Sequence, residues 1–270
     1  MTDYAYVTLA PLPVFAGYTD DFPGTALGPF WSQLPSQAAS SAVASSVYAV
    51  ALSGSGNPEW AGIRNAEPLS LVDANVSVGL SPGDAANSSK PVFAGLQLCS
   101  SVPPGDPTYT VPWVRLAALQ GELWCGWGTD SAGTVQFSTA YSAVNHKFLR
   151  FSQDGGNLSW DVSPDGASWT SLHSTAVGSL PLQDFASVYV QLLQYTWGAD
   201  ASTCQFTDFA YSGNLDLEVQ VTATIFASTL TTYKVVIPVT SGDTIFDIQD
   251  NAVAAIKSAS GVSALKVVFL

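Results

Sequence analysis

The four glutamates of the chain, Glu59, Glu67, Glu122 and Glu218, stand far apart, and no Glu-x-Asp-x-Glu run joins any of them. Acid–base cleavage of a glycosidic bond needs two carboxylates facing each other across that bond, and neighbouring positions supply no such pair. Asp161 and Asp165 are close in sequence. Asp165, however, belongs to a turn and Asp161 alternates away from Trp160, so turn-forming and solvated roles are expected. A nucleophile triad needs a histidine oriented by an acid. The two histidines, His146 at a strand start and His173 on the polar side of the strand after Trp169, read as structural or surface residues. No G-x-S-x-G, H-E-x-x-H, phosphate-loop or dinucleotide pattern occurs. The inventory therefore predicts no catalytic residues. Cys99, Cys125 and Cys204 are too few and too spread for a disulfide framework or a zinc site and are expected as buried thiols.

Aromatic residues offer a second chemistry. A sugar is recognised by an exposed aromatic face beside polar donors and acceptors. Trp60 in Gly-Asn-Pro-Glu-Trp-Ala-Gly, Tyr109 in Gly-Asp-Pro-Thr-Tyr-Thr and Trp197 in Tyr-Thr-Trp-Gly-Ala-Asp lie in turn-rich segments and are the candidate ligand contacts. The alternative for each is a cap on the end of a hydrophobic core. Trp113, Trp124, Trp127, Trp160 and Trp169 stand within or beside predicted strands and are expected in the core.

The elements that position these residues are mostly strands. Of the 270 residues, 47% are hydrophobic and 11% charged, which favours an ordered, heavily buried chain. Short apolar runs broken by Gly, Pro, Ser, Asn and Asp predict strands over 47–52, 71–80, 92–100, 110–119, 121–128, 146–153, 158–164, 169–175, 187–196 and 204–213. No helical crossovers separate them, so two packed antiparallel sheets are expected. Leu158, Trp160 and Val162 alternate with Ser159, Asp161 and Ser163, and Ser163-Pro164-Asp165-Gly166 reverses the chain, which predicts a hairpin. Beyond Gly213, two further strands (217–226 and 232–239), a helix over 245–259 and a closing strand over 264–270 predict a small β-β-α-β unit. The helix would bury Ile245, Ile248, Ala252, Ala255 and Ile256 on one face. The expected division is an extended arm (1–19), a sandwich (20–213) and a small α+β, β-grasp-like unit (214–270).

Charge excludes several partners. With 21 acidic against 8 basic residues the net charge is -13, so no basic surface is expected for nucleic acid. No apolar run approaches the roughly 20 residues of a spanning helix, so membrane insertion is not expected. The first residues show no basic start followed by an apolar stretch, so synthesis in a cytoplasm without a signal peptide is expected.

The stretch from Asp20 to Gly213 resembles the laminin-G/concanavalin A-like jelly-roll superfamily, in particular its bacterial and phage branch. Asp20-Asp21-Phe22 followed by Phe30-Trp31 resembles its opening strand, and Val92-Phe93-Ala94-Gly95-Leu96 a central one. Arg150-Phe151 through Leu158-Trp160 to Ser163-Pro164-Asp165-Gly166-Ala167-Ser168-Trp169 resembles its hairpin, and Phe206-Thr207-Asp208-Phe209-Ala210-Tyr211-Ser212-Gly213 its closing strand. The resemblance implies an all-β jelly-roll sandwich. Members often hold calcium on loop carboxylates; Asp84, Asp106, Asp130 and Asp154 are the candidates, yet none has D-x-D-x-D spacing, and no cofactor is expected.

By analogy with that branch, the expectation is a non-catalytic virion structural or decoration protein of a bacteriophage capsid or tail. It would be located in the virion and associated with other virion proteins and with itself as a homo-oligomer. The alternative is a carbohydrate-binding module that recognises a host-surface glycan, and a third reading is a glycan hydrolase.

Overall fold

A computed structural model of the chain describes residues 6–9, 18–56, 58–100, 112–129, 134–182, 184–213, 215–225, 229–239, 250–251, 253–254, 257–258 and 266–269. Its strands in chain order begin with β1 (Tyr6–Leu9), β2 (Tyr18–Asp20), β3 (Trp31–Gln33), β4 (Ala39–Ala44), β5 (Val47–Leu52) and β6 (Glu59–Asn65). They continue with β7 (Asn75–Ser81), β8 (Val92–Cys99), β9 (Trp113–Leu119), β10 (Glu122–Gly128), β11 (Thr134–Ala140), β12 (Phe148–Asp154) and β13 (Asn157–Ser163). The last are β14 (Thr170–Ala176), β15 (Tyr189–Thr196), β16 (Ser202–Ser212), β17 (Leu215–Ile225), β18 (Thr229–Val239) and β19 (Lys266–Phe269). Contacts divide the chain into two compact units, Tyr18–Tyr211 and the two ends together, Met1–Gly17 with Ser212–Leu270.

The larger unit is the expected two-layer all-β sandwich. One sheet runs β11-β10-β9-β8-β15-β6-β3, and every neighbouring pair in it is antiparallel. The other runs β14-β13-β12-β7-β16-β5-β4, with β2 beside β16. Three hairpins close through two-residue turns in which both residues have positive φ: Ser45-Ser46, Gln120-Gly121 and Gly155-Gly156. That twist matches the strands on either side. The turn after β13 forms as predicted. Ser163 Oγ accepts from the Gly166 and Asp165 amides, Asp165 Oδ1 accepts from those of Ala167 and Ser168, and Gly166 takes φ +74°.

Between the sheets the side chains follow the strand period. Leu158, Trp160 and Val162 point inward beside Leu149 and Phe151, and Trp160 Nε1 donates across to Arg115 O of the facing sheet at 2.9 Å, where Leu96, Leu116 and Leu192 are buried as well. The motif Phe206-Thr207-Asp208-Phe209 breaks that period, since inward residues lie at 206 and 209. Asp208 absorbs the extra residue by adopting φ +48°, which an aspartate tolerates better than most side chains. Asp20 is the hub of the opening motif. Its carboxylate accepts from Tyr18 OH (2.8 Å), the Phe22 amide (2.7 Å) and Trp31 Nε1 (2.8 Å), tying together a cluster in which Trp31 meets Phe209 edge-on.

Asp161, Trp169 and His173 depart from expectation. Asp161 does face away from the core, but it is buried, bonded to Arg150 at 2.9 Å, while Trp169 covers the Arg150 guanidinium at 4.2 Å instead of entering the core. His173 is not on the polar side: a register shift at Trp160/Asp161 turns it inward, 5.3 Å from the Trp160 ring and 5.9 Å from that of Trp127. Within residues 1–19, Tyr6–Leu9 form β1, which pairs in parallel with β19, and Tyr18 and Thr19 open β2, which joins the sandwich.

In the second unit β17 and β18 form a long antiparallel hairpin, from Leu215 opposite Val239 to Ile225 opposite Thr229. Asp250, Asn251, Val253, Ala254, Lys257 and Ser258 have helical backbone, while the predicted buried helix face of Ile245, Ile248, Ala252, Ala255 and Ile256 lies outside the described residues. No described helix is long and apolar enough to cross a membrane.

Candidate functional site

The outward face of the seven-stranded sheet departs from the pattern of a solvated sheet. Register places Trp60, Tyr195, Phe93 and Leu119 in one row across β6, β15, β8 and β9. The next row is Gly62, Leu193, Gly95 and Ala117, and the third is Arg64, Gln191, Gln97 and Arg115. An aromatic row and a polar row thus run parallel, separated by a row in which Leu193 is the one large side chain. The aromatic row, with Leu34, Ala117 and Leu193, forms one buried cluster against which Trp124 of β10 packs. Trp60 and Tyr195 stack at 6.2 Å, and Tyr195 meets Trp197 edge-on at 5.0 Å.

The middle row is small for a reason. A Cβ on Gly95 would lie 2.5 Å from the Ala117 Cβ. Over this low row Arg115 lays its guanidinium 4.5 Å from the Phe93 ring centre and 4.2 Å from that of Trp113, a cation–π geometry on both sides.

The polar row is a relay of donors. Arg115 Nε and Nη2 donate to Gln97 Oε1 at 2.8 and 2.5 Å. Gln97 Nε2 then donates to Gln191 Oε1 at 2.8 Å and to Cys99 Sγ at 3.1 Å. Each bond polarises the next, and the relay ends at Gln191 Nε2, which is buried and has no partner. Trp60 Nε1, on the aromatic row of the same face, is likewise buried and unpartnered. A buried donor left unmade costs about 1–3 kcal/mol, and two of them lie on this one face.

The predicted contacts fall out as follows. Trp60 is not in a loop; it belongs to β6, which sequence reasoning missed because Glu59, Arg64 and Asn65 interrupt its apolar residues. It is 7% exposed and forms part of the face. Trp197 is 39% exposed, two residues beyond Tyr195 and edge-on to its ring. Tyr109 lies outside the described residues. Trp113 and Trp124, expected in the core, are on this outward face, whereas Trp127 and Trp160 do face the interior. Gln97, Gln191 and Arg115 went unnoticed because a glutamine in an apolar strand carries no spacing signal.

The carboxylates are arranged differently. Glu122 of β10 reaches this face, where it accepts from Trp124 Nε1 at 3.0 Å. Glu59 is buried on the opposite side of β6 and accepts from the amides of Gly54 and Gly56 and from Ser53 Oγ; burial alone would raise its pKa, but these donors together hold it below the usual value. His146 Nδ1 accepts from the Ser142 amide, and burial lowers its pKa. Of the calcium candidates, Asp106 and Asp130 lie outside the described residues. Asp84 sits in a one-turn 3-10 helix (Gly83–Ala86) and Asp154 ends β12; no cluster of three metal-ligating side chains occurs among the described residues.

No family model and no curated protein matches the chain. Solved structures do. The fold is similar to that of laminarinase from Flavobacterium sp. UMI-01 (TM-score 0.55, 6% identity, 73% of this chain and 99% of that one). It is similar to that of Rv0315, an immunostimulatory antigen and pseudo β-1,3-glucanase of Mycobacterium tuberculosis (TM-score 0.54, 9% identity, 73% and 98%). It is also similar to that of the exoplasmic/lumenal domain of VIP36 in its Ca2+-bound form (TM-score 0.50, 14% identity, 76% and 92%).

These likenesses establish the concanavalin A-like jelly roll that the sequence resemblance implied. They also overturn the functional expectation. The virion structural or decoration role and the non-catalytic assignment came from analogy with phage proteins, whereas the solved structures that share this fold include glucanases. Virion partners and self-association gain no support from them.

Proposed function

We propose that the chain is a glycan-binding protein whose ligand lies on the outward face of the seven-stranded sheet, over the aromatic row and against the polar one. The observation that carries this reading is the pair of buried, unpartnered donors, Trp60 Nε1 on the aromatic row and Gln191 Nε2 on the polar one. A pyranose offers what that surface lacks: an apolar C–H face to cover the rings and hydroxyl oxygens to accept from the donors. Its first contact is Trp197, the exposed ring beside Tyr195. Gln191 and Gln97 are fully buried, so full engagement requires the face to rearrange, and association is slower than encounter. The glucanase likenesses make a β-1,3-glucan the first ligand to try.

Titration with laminari-oligosaccharides, read by calorimetry, tests the proposal, and reducing-end release is assayed on the same mixtures to detect hydrolysis. Saturable binding that weakens about tenfold in Trp197→Ala, the loss of one stacked aromatic, is the expected result. A folded protein that binds no member of a glycan panel, or binds one equally well in Trp197→Ala and Gln191→Leu, overturns it.

A further inference from the structure

The second sheet carries a separate cavity on its own outer face. It has a volume of about 350 Å3, at the small end of the range for ligand sites, and is lined by Gly79, Tyr141, Lys147, Phe148, Gln205 and Thr207 among others. Its floor depends on a glycine: a Cβ at Gly79 would lie 2.3 Å from Thr207 Oγ1. Phe148, half-buried, and Tyr141 give it aromatic walls.

Charge sets this cavity apart. In a chain of 21 acidic and 8 basic residues, none of its lining residues is acidic and one is a lysine. The sandwich has five basic residues, and four are engaged. Arg64 donates to the carbonyls of Asn65 and Ala66, Arg115 to Gln97, Lys90 to Asp200 and Arg150 to Asp161. Lys147, among the described residues, has no ion pair or side-chain hydrogen bond, and it is the one at the cavity. The Gln205 amide and the Thr207 hydroxyl beside it are also unengaged among the described residues. Burial pushes the Tyr141 phenol up to about 12, so it stays a neutral donor.

We infer that this cavity binds a carboxylate-bearing sugar such as a uronic acid residue, with the carboxylate on Lys147, the ring against Phe148 and Tyr141, and its hydroxyls on Gln205 and Thr207. The lysine selects an anion, and the neutral polar groups select a hydroxylated one rather than a plain aliphatic acid. The site lies on the other sheet from the glycan face proposed above and does not rest on it.

The test compares methyl glucuronide, methyl glucoside and butyrate in NMR titrations of the whole chain, wild type, Lys147→Gln and Gln191→Leu. Expected are shifts at Phe148, Gln205 and Thr207 with the glucuronide, a preference over the glucoside of about fivefold, and loss of that preference in Lys147→Gln. Binding persists in Gln191→Leu, which separates this site from the first. Three results overturn the inference: no glucuronide binding by folded protein, binding unchanged in Lys147→Gln, or butyrate binding as well as the glucuronide.

Discussion

Replacing Gln191 by leucine separates a binding role from a structural one. The side chain is fully buried between Gln97 and Arg64, and its Nε2 has no partner. Leucine of similar size removes that unmade donor, relieving about 1–3 kcal/mol of desolvation. It also removes Oε1, the acceptor for Gln97 Nε2, at a cost of about 0.5–1.5 kcal/mol; Gln97 Nε2 still has Cys99 Sγ at 3.1 Å. The two effects oppose each other, so stability in urea unfolding followed by tryptophan fluorescence should fall by no more than about 0.5 kcal/mol and can rise. Glycan affinity should fall by roughly tenfold or more, since a sugar hydroxyl loses its donor. A loss of more than about 3 kcal/mol in stability would refute the reasoning, because it would make the relay a structural brace.

Other residues give independent checks. Asp20→Ala strands the buried Phe22 amide and Trp31 Nε1, and should destabilise the fold by about 2–5 kcal/mol, read as a lower urea midpoint at unchanged slope. Burial pushes the thiols of Cys99 and Cys125 up to about 12 and raises that of Cys204 as well, so an aromatic disulfide reagent at pH 8 should titrate no thiol in the native protein and three after unfolding. The Ser168 and Ala167 amides and the Ser163 hydroxyl hold Asp165 down to about 2. Its folded value lies below its unfolded one, so the stability it contributes is present above about pH 4 and is lost as the pH falls toward 2. Asp165→Asn should flatten the acid limb of the stability–pH curve over that window, and an unchanged limb contradicts the assignment.

Where one side of a strand is polar, the sequence was easy to read. Leu158, Trp160 and Val162 alternate with serines and an aspartate, and Ser163-Pro164-Asp165-Gly166 can do little but turn, so β13 and its hairpin stand out. The Asp20 and Asp208 motifs were legible because a buried carboxylate hub and a left-handed aspartate each demand particular residue types. The candidate site was hidden by the opposite circumstance. In β8, Val92 to Cys99 are buried on both faces, so no alternation distinguishes the core from the outward surface. Trp60 looked like a loop residue because β6 is short of alternation and follows the sequence Gly-Asn-Pro. β11 escaped notice as an edge strand of Thr, Ser and Gln with few apolar residues. The inward turn of His173 follows from a register shift that period-two counting cannot foresee.

The central claim is that a glycan supplies the acceptors missing from Trp60 Nε1 and Gln191 Nε2. The direct measurement is a 1H–15N spectrum of the tryptophan indole and glutamine amide groups during titration with a laminari-oligosaccharide, with the eight indoles assigned by substitution. The Trp60 indole and the Gln191 amide should shift downfield together and saturate at the stoichiometry found by calorimetry. Saturable binding that moves other residues and leaves both of these unchanged contradicts it.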